Sequence, residues 1–578
     1  MSDFQPLFCV QIARLAKGLK QSNAESSEDE KVVAEQELAN GLPSSSSSES
    51  EAEAKPASKV VAPQRKPAKK APGSDDSDDD VVEAKWALGD RKPHVHPFTF
   101  LANETGFVGG RNLNPEDPLD FFRLYLTSVQ SATIVAHTND FGQNSVKAWG
   151  SWVNIDQHDL DRYIGLSIYM GMCVLPSVED YWSDVFGCKS LFEEVMSYRR
   201  FMMIAAHLHL APQGVDASVD TLAKVRDFLD TLNTACTDLW VCAQTLSYDE
   251  MMVKCKNKYA RCRTRNPGKP IKDGLKVFGL CCSDTGYVWR FSVYSGVPCV
   301  GWQTLGKTGA AISLVCAPFV NRGYIIYMDN YFTSVKIIKH LHSMGYNVVG
   351  TAKSNRVDKS IHMKKGKQAA GTTKSLTSTD DPPICSYAVQ DRGVVYLLSS
   401  MHKESQRTTM TRQSGAKKVE VHAPVALAEY NAGMGGCDTA DQKRASYRIQ
   451  RKRVTRWYMT LFYWALDVMV VNSYVIYSSE AVEIVSHKKY RLALANALMR
   501  SGRPPILAEA KNAEPCPKRM KLGEALPHQR LSGGLHAPER LEKGLRCVQC
   551  RGPNKVQYGC DTCKRAMHIE CFRAWHTH

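Results

Sequence analysis

The spacing of apolar residues divides this chain into regions with different hydrophobic periodicities. Between about 97 and 245, apolar residues recur at helical spacing and predict a bundle of helices. One predicted stripe contains Leu119, Phe122, Leu126 and Val129, and a second contains Ile164, Ile168, Met172 and Leu175. From about 246, short β-prone runs separated by Gly, Pro and Asp predict an α/β domain. Its clearest predicted strands are Val277–Cys281, Val288–Val293 and Tyr324–Met328.

The second half of the chain returns from a weakly patterned segment to helices. Residues 355 to about 425 are rich in Lys, Ser, Thr and Gly, and we interpret them as an insertion with one strand at Val394–Leu398. Helices are predicted from Asp438 to about 500, and within them Trp457 and Trp464 begin an apolar stripe that favours core packing over stacking on bases. The most apolar run, 461–477, contains Asp467 and Asn472 and is too short and polar to span a membrane comfortably.

Charge separates the N-terminal residues from the rest. Residues 1 to about 95 lack periodicity and are rich in Ser and acidic residues, which predicts a disordered tail. The formal net charge is +15, but residues 1–90 hold 11 basic and 17 acidic side chains, so the remaining chain carries +21. Such an excess favours a polyanionic partner. The basic clusters Arg65–Lys70 and Pro517–Lys521 are candidate nuclear localisation signals, and no secretory leader is recognised.

Asp329 is the most informative carboxylate in the sequence. It follows a run of apolar, β-prone residues and precedes a predicted helix that ends at Gly345. It is therefore expected at the C-terminal tip of a buried strand, where nucleases place a metal ligand. The alternative is that Asp329 and Asn330 only cap the helix.

Two further acidic segments are candidates to join Asp329. Asp249 lies in an alternating β-prone run, and Asp438 follows paired glycines at a predicted helix start, with Asp441 on the same helical face. Two-metal phosphoryl chemistry requires such acids, because carboxylates hold two Mg²⁺ ions about 3.5–4 Å apart. The alternatives are a strand-end surface acid for Asp249, a helix N-cap for Asp438 and a favourable helix dipole for Asp441.

A basic segment follows the third acid. Seven of the fourteen residues from Lys443 to Arg456 are basic and none is acidic. Arg444, Arg448, Lys452 and Arg456 are four residues apart, so in a continuous helix they would form one cationic stripe able to follow DNA phosphates. The alternative is an ordinary solvated face, although such faces generally carry both signs.

The C-terminal residues have the spacing of a zinc-binding domain. The chain has 19 Cys, of which five lie in the last 32 residues. The other fourteen are scattered, a distribution that is typical of a reducing compartment. With three His residues, the five C-terminal Cys make eight candidate ligands, enough for two tetrahedral Zn²⁺ ions. We favour a cross-brace over a sequential ribbon. In the cross-brace Cys547, Cys550, His568 and Cys571 bind one Zn²⁺, and Cys560, Cys563, His576 and His578 bind the other.

Several strings, in order along residues 97–578, resemble the piggyBac family of DNA transposases. They are Asp117–Phe122, Ile164–Leu166 with Leu175–Trp182, Asp249–Met251, Lys269 and Pro270 with Gly274 and Lys276, Met328–Ser334, Tyr430 with Asn431, Gly435–Gln442, and Arg456 with Trp457. Two positions depart from the family pattern. Lys256-Asn257-Lys258 stands where many members have Lys-Gly-Arg, which would weaken strand contacts, and Cys437 stands where Val is usual.

The resemblance implies an RNase H-like catalytic fold of the DDE type. Asp249, Asp329 and Asp438 match the three family acids that bind Mg²⁺, and Asp441 matches a further acid expected to assist. The implied activity is cut-and-paste transposition into TTAA sites by a nuclear homodimer or larger assembly on double-stranded DNA, with no small-molecule cofactor. The alternative is a domesticated derivative that binds DNA or chromatin without cutting it.

The resemblance also assigns roles to the segments. The expected order is a disordered tail (1–95), a helical dimerisation and DNA-binding domain (96–245), an RNase H-like catalytic domain in two parts (246–354 and 428–448) interrupted by the insertion (355–427), a second helical DNA-binding region with a linker (449–535), and a cysteine-rich zinc domain (545–578). The last segment is similar to the family domain that recognises transposon ends. Its ligand order also fits a RING or PHD domain.

Overall fold

The structure is a computed structural model that divides into two units, residues 1–502 and 503–578. It describes residues 84–87, 97–102, 104–109, 113–145, 151–267, 271–297, 299–364, 368–414, 417–449, 456–502, 538–547, 549–550, 555–560 and 565–577. The predicted tail lies almost wholly outside the described residues, as do both candidate localisation signals.

Helices dominate the first part of the larger unit. They are α1 (Pro118–Arg123), α2 (Ser128–Asn144), α3 (Gln157–Met172), α4 (Lys189–Val195), α5 (Tyr198–His207) and α6 (Arg226–Asp238). Thr127 and Gln130 form a capping box that starts α2, so the first predicted stripe spans two helices rather than one. Val129 is consequently exposed, whereas Phe122 and Leu126 are buried. In the second stripe Ile164 and Ile168 are buried on α3, and Met172 and Leu175 are half-buried.

A ten-stranded sheet forms the centre of the unit. Its strands are β1 (Trp86–Ala87), β4 (Thr245–Lys254), β5 (Arg263–Arg265), β6 (Asp273–Cys282), β7 (Val288–Val293), β8 (Ile325–Met328), β9 (Asn347–Ala352), β10 (Thr373–Ser378), β11 (Cys385–Gln390) and β12 (Val394–Ser399), with a separate pair formed by β2 (Gly106–Phe107) and β3 (Trp240–Val241). The order is β1-β10-β11-β12-β9-β8-β4-β6-β5, and β7 also pairs with β6. Strand β4 is parallel to β8 and antiparallel to β6. The three predicted strands are confirmed: Val288–Val293 matches β7 at both ends, and the other two differ from β6 and β8 by at most four residues at either end.

The predicted insertion extends this same sheet. Strands β10, β11 and β12 add to β9 as an antiparallel series, and the predicted strand Val394–Leu398 is confirmed as β12. A hairpin of β13 (Arg407–Ser414) and β14 (Lys417–Pro424) follows. Only β12 was predicted in this segment; β10, β11, β13 and β14 were not, and β10 is mostly polar.

Helices cover both faces of the sheet. They are α7 (Trp302–Cys316), α8 (Val335–Ser343), α9 (Val425–Gly433), α10 (Gly436–Ala445), α11 (Met459–Glu480) and α12 (His487–Met499). Along β8, Ile326 and Met328 lie in the main core, whereas Ile325 and Tyr327 lie in a second core with Ala426 of α9. This alternation is the period of two expected of a strand that is buried on both sides.

Helices α11 and α12 pack against α1 and α3, so helices from before and after the sheet share one core. Trp464 is buried in that core and Trp457 is partly buried against it, as predicted. Helix α11 is long and apolar enough to cross a membrane, but 94% of its most apolar stretch is buried inside the protein. That degree of burial is typical of a core helix.

The smaller unit is a three-stranded sheet with one helix. It contains β15 (Pro538–Arg546), β16 (Lys555–Cys560), β17 (Arg565–Ala566) and α13 (Ile569–Thr577). Among the described residues of this unit, the hydrophobic core consists of Cys547, Val556, Cys560, Ala566 and Met567. So small a core needs a metal or a comparable constraint to be stable.

Candidate active site and zinc centre

Asp249 and Asp329 lie side by side on neighbouring strands. Strands β4 and β8 are parallel, and the last register pair between them is Tyr248 with Met328. Asp249 directly follows Tyr248, and Asp329 directly follows Met328. Asp249 is not at a strand end, because β4 continues to Lys254 and pairs Asp249 with Gly279 of β6. The strand-end alternative for Asp249 is therefore wrong.

Asp329 shapes the turn that follows β8 and does not cap the next helix. Its Oδ1 accepts a hydrogen bond from the Tyr331 backbone N–H at 2.9 Å. The cap of α8 is Ser334, whose Oγ accepts a hydrogen bond from the Ile337 N–H at 3.3 Å. The capping alternative for Asp329 is therefore wrong, and its carboxylate stays at the end of the sheet.

Asp438 approaches from the helix that covers this face. It lies in the first turn of α10, whose N-cap is Gly435, so Asp438 is not the cap either. Ser247 of β4 fixes the helix start: its Oγ donates to the Met434 carbonyl at 2.6 Å and accepts from the Cys437 N–H at 3.3 Å. Because side chains alternate along a strand, Ser247 and Asp249 point to the same face. The start of α10 is thus held on the face that carries Asp249.

The close approach of α10 to the sheet depends on a glycine. A Cβ atom at Gly436 would lie 2.7 Å from the Cys282 carbonyl oxygen and 3.0 Å from the Ser247 Cβ. Only glycine allows this spacing without a shift of the backbone. Of the paired glycines before Asp438, Gly436 therefore has a packing role, whereas a Cβ atom at Gly435 would meet nothing within 4 Å.

Tyr430 lies within electrostatic range of all three acids. Burial raises the pKa of Tyr430 to about 12, and the negative charges of Asp329, Asp249 and Asp438 add to the rise. Its hydroxyl lies 3.3 Å from the Thr351 Oγ1. Carboxylate oxygens are hard donors of the kind that Mg²⁺ prefers. The sequence places Tyr430 only in a string that resembles the family and does not predict it as a site residue.

Arg356 is a second residue that the sequence did not reveal. It is buried in a short 3₁₀ turn after β9. Its Nη1 lies within hydrogen-bond distance of the carbonyl oxygens of Asn330 (3.1 Å), Tyr331 (3.2 Å) and Thr333 (2.8 Å). The buried Arg356 guanidinium therefore stabilises the turn that begins at Asp329.

The predicted cationic stripe is not a continuous helical face. Helix α10 ends at Ala445, and Arg444 is buried, with its Nη2 2.9 Å from Asp441 Oδ1. Arg448 is half-buried, and burial lowers its pKa. Arg456 donates to the carbonyls of Leu208 (2.7 Å) and Ala205 (2.8 Å) near the end of α5. Lys452 lies outside the described residues.

The chain leaves its helix after Ala445 because a buried ion pair holds the following residues. Asp467 of α11 and Arg491 of α12 are both fully buried, with Oδ1 and Nη2 3.3 Å apart. Asp467 Oδ2 accepts from the Ile449 N–H at 3.2 Å, and Arg491 Nη1 donates to the Tyr447 carbonyl at 2.6 Å. The segment that carries Arg448 is thus fixed to the helical core.

A different basic surface, which sequence reasoning missed, lies at the edge of the sheet. Residues 251–272 contain eight basic side chains and no acidic one. In the structure seven of these are exposed, namely Lys254, Lys256, Lys258, Arg261, Arg263, Arg265 and Lys272. A search for runs without acids would have found this segment, which directly follows the strand that carries Asp249.

The C-terminal unit brings four predicted zinc ligands together. The ligand atoms of Cys547, Cys550, His568 and Cys571 all lie within 4.8 Å of one another. Burial raises the pKa of the Cys547 thiol, but hydrogen bonds from the backbones of Cys550, His568 and Gln549 lower it to about 6. Three thiols and an imidazole are a standard donor set for structural Zn²⁺. These residues are the first half of the predicted cross-brace.

The second half of the cross-brace is only partly described. Cys560 is fully buried, and the Nδ1 atom of His576 lies 2.8 Å from the Phe572 carbonyl. Cys563 and His578 lie outside the described residues. The second zinc site therefore stays a prediction.

Comparisons with known proteins cover most of the chain. A family model described as Transposase IS4 matches residues 117–474. Human PiggyBac transposable element-derived protein 3 is 24% identical over 477 residues, which cover 80% of this chain and 76% of that protein. Human PiggyBac transposable element-derived protein 5 is 24% identical over 450 residues, 72% of this chain and 81% of that protein. A piggyBac transposase synaptic complex with hairpin DNA, solved by cryo-EM, has a TM-score of 0.58 and 23% identity, covering 81% of this chain and 98% of that one.

Proposed function

This chain belongs to the piggyBac-type transposase family, and we propose that it is a metal-dependent DNA transposase that cuts and rejoins strands at TTAA sites. The observation that carries the proposal is that Asp249 and Asp329 directly follow the last register pair of the parallel strands β4 and β8, while Ser247 holds the start of α10, which carries Asp438, on the same face. The strand order β7-β6-β4-β8-β9, with β4, β8 and β9 parallel, supports an RNase H-like domain. In such a domain the carboxylates meet at the end of the central strands.

Each acid has a distinct part in the proposed site. Asp249 and Asp329, at the sheet, would bind two Mg²⁺ ions together with Asp438, which lies in the first turn of α10. When bound, the ions activate a water or a 3′-hydroxyl and stabilise the departing oxygen. Arg356 keeps the Asp329 turn in place, and Ser247 keeps Asp438 beside the sheet. No covalent protein intermediate is needed.

Asp441 has a different role in this proposal from the one its position in the sequence suggested. Its carboxylate accepts two hydrogen bonds from the buried Arg444 guanidinium, from Nη2 at 2.9 Å and Nε at 3.3 Å. We assign Asp441 to positioning α10 and leave metal binding to the other three acids. Arg444, for the same reason, is assigned to the core rather than to DNA.

The partners follow from charge and family. The exposed cations of residues 254–272 suit the phosphates of double-stranded DNA, and the C-terminal unit with one or two Zn²⁺ ions suits recognition of transposon ends. By resemblance the protein would nick the ends, form hairpins with the freed 3′-hydroxyls and act in the nucleus as a homodimer or larger assembly.

A second candidate is a domesticated derivative that binds DNA or chromatin without cleaving it. The names of the human relatives, which describe them as transposable element-derived, favour it. The three acids and the residues that position them favour the enzyme, because a protein that only binds DNA has no need of them.

An excision assay separates these functions. Cells would carry a reporter interrupted by the element's own TTAA-flanked ends, together with wild-type protein, Asp329→Ala or the control Asp284→Ala, which changes an exposed acid in the turn after β6. We expect excision with the wild type and the control and none with Asp329→Ala. Equal inactivity of wild type and Asp329→Ala with matched ends would overturn the enzyme proposal.

A further inference from the structure

The loop between β7 and α7 exposes apolar side chains to solvent. Val300 is 100% exposed, Val297 64% and Trp302 40%. Scattered exposed apolar residues are ordinary, but here three lie within six positions, two in the loop and Trp302 at the first position of α7, which makes this segment a candidate contact surface.

The root of this loop is anchored beside the candidate active site. The Tyr294 N–H donates to the Lys276 carbonyl of β6 at 2.9 Å, and the Trp302 N–H donates to the Cys299 carbonyl at 3.2 Å. Strand β6 pairs with β4, so the loop is rooted on the strand next to the one that carries the first acid.

Two glycines turn the tip outward. Gly296 and Gly301 have φ angles of +88° and +87°, a left-handed conformation that other residues rarely adopt. Val297 and Val300 lie between them.

The surroundings of the tip are strongly cationic. A Cβ atom at Gly296 would lie 3.4 Å from the Arg261 carbonyl, which places the loop against the basic edge surface of residues 254–272. That surface also exposes an aromatic ring, Tyr259, with the Lys258 Nζ 5.0 Å from its centroid. Cations bind phosphates, whereas exposed rings and aliphatic groups contact the faces of bases that have left the stack.

We propose that Val297, Val300 and Trp302 form a wedge that packs against unstacked bases of the DNA held at the active site, while the neighbouring lysines and arginines hold its backbone. The inference rests on the proposed function, since it takes DNA as the partner. A surface for regular duplex DNA would need the cations alone. The apolar tip fits DNA whose end is distorted or hairpinned, where bases are available for stacking.

Binding measurements without cleavage test the wedge. Full-length protein would be titrated, with EDTA present, into a fluorescent hairpin whose loop has four unpaired nucleotides, one of them 2-aminopurine, and into a blunt duplex with the same stem. The variants are Trp302→Ala and Val300→Ser, with Trp302→Phe as the conservative change and Val320→Ser as the control at another exposed valine.

We expect Trp302→Ala to weaken hairpin binding by about 10-fold, in line with the loss of one base–aromatic stack. Duplex binding should change by less than about 2-fold, and Trp302→Phe should restore most of the hairpin affinity. The 2-aminopurine signal should respond to wild type, Trp302→Phe and Val320→Ser but not to Trp302→Ala. Equal losses on hairpin and duplex, or no loss on either, would overturn the wedge.

A fall in oligomeric state of Trp302→Ala, measured by light scattering, would also overturn it by showing that the tip is an interface between two copies. Because EDTA removes any need for catalysis, a protein that fails the excision assay can still pass this test. The two proposals therefore fail independently.

Discussion

Replacement of Arg356 with methionine should weaken metal binding at Asp329 without unfolding the protein. Arg356 Nη1 faces three carbonyl oxygens of the turn that follows Asp329, at 2.8–3.2 Å. One nitrogen carries two hydrogens, so these contacts amount to two full hydrogen bonds from a charged donor, each worth about 1.5–3 kcal/mol. The methylene chain is largely retained in methionine, which limits the loss of packing.

Loss of the two hydrogen bonds therefore costs at least about 3 kcal/mol. If this whole cost fell on metal binding by Asp329, the metal affinity would drop by about 150-fold. Part of it is recovered by water, because Asn330 is exposed. We expect the half-saturating Mg²⁺ concentration for DNA cleavage to rise by at least about 10-fold. Arg356→Lys keeps the charge and should lie between wild type and Arg356→Met.

The assay is the Mg²⁺ dependence of single-turnover cleavage, with Mn²⁺ calorimetry as an independent readout of metal affinity. Lys359→Met, an exposed cation on the next 3₁₀ turn, is the charge-matched control. If Arg356→Met loses thermal stability but keeps the wild-type metal dependence, Arg356 is a structural residue only and the positioning argument is refuted.

Three other predictions concern stability and zinc. Asp467→Asn leaves Arg491 buried without its charge partner and should lower the free energy of unfolding by about 3–5 kcal/mol. The double change Asp467→Leu with Arg491→Met should recover most of that stability. Thermal melting of the single and double variants tests this, and equal losses in both would contradict it. His209 and His487 have pKa values lowered to about 3, chiefly by burial, so the unfolded chain binds more protons than the folded one between about pH 3 and 6.5 and stability should fall as pH drops through that window. The double change to glutamine should flatten the melting temperature between pH 7 and 5, and an unchanged slope would contradict the assignment. Removal of zinc with a chelator, or Cys550→Ser, should unfold the C-terminal unit while residues 97–502 keep their melting transition, as measured by circular dichroism and bound zinc; a C-terminal unit that stays folded without metal would refute a structural zinc site.

Local patterns were enough to find the strands that carry the acids. The apolar run before Asp329 and the alternation around Asp249 correspond to β8 and β4, and the glycines before Asp438 correspond to the start of α10. Their side-by-side placement needed the parallel register of β4 and β8, which no local pattern contains. The polar strand β10 was missed because it lies near the sheet edge, where alternation is weak.

The prediction of a continuous cationic stripe was wrong because of contacts between residues that are distant in the sequence. Spacing by four residues has meaning only if the helix continues, and here Asp467 and Arg491, far along the chain, hold Tyr447 and Ile449 outside it. Arg356 was missed for a similar reason, since its three partners lie 23–26 residues away. Contacts of this kind are set by tertiary packing and have no local sequence pattern.

Cleavage of a transposon-end duplex by purified protein with Mg²⁺ tests the central claim most directly. Wild type and the control Asp284→Asn should cut the strand at the TTAA boundary, whereas Asp249→Asn, Asp329→Asn and Asp438→Asn should each be slower by roughly 10³-fold, because a lost metal ligand removes several kcal/mol of transition-state stabilisation. DNA binding and melting temperature should be unchanged in all of them. Cleavage that survives in any of the three acid variants, or that never occurs with the wild type on its own ends, would contradict a three-carboxylate active site.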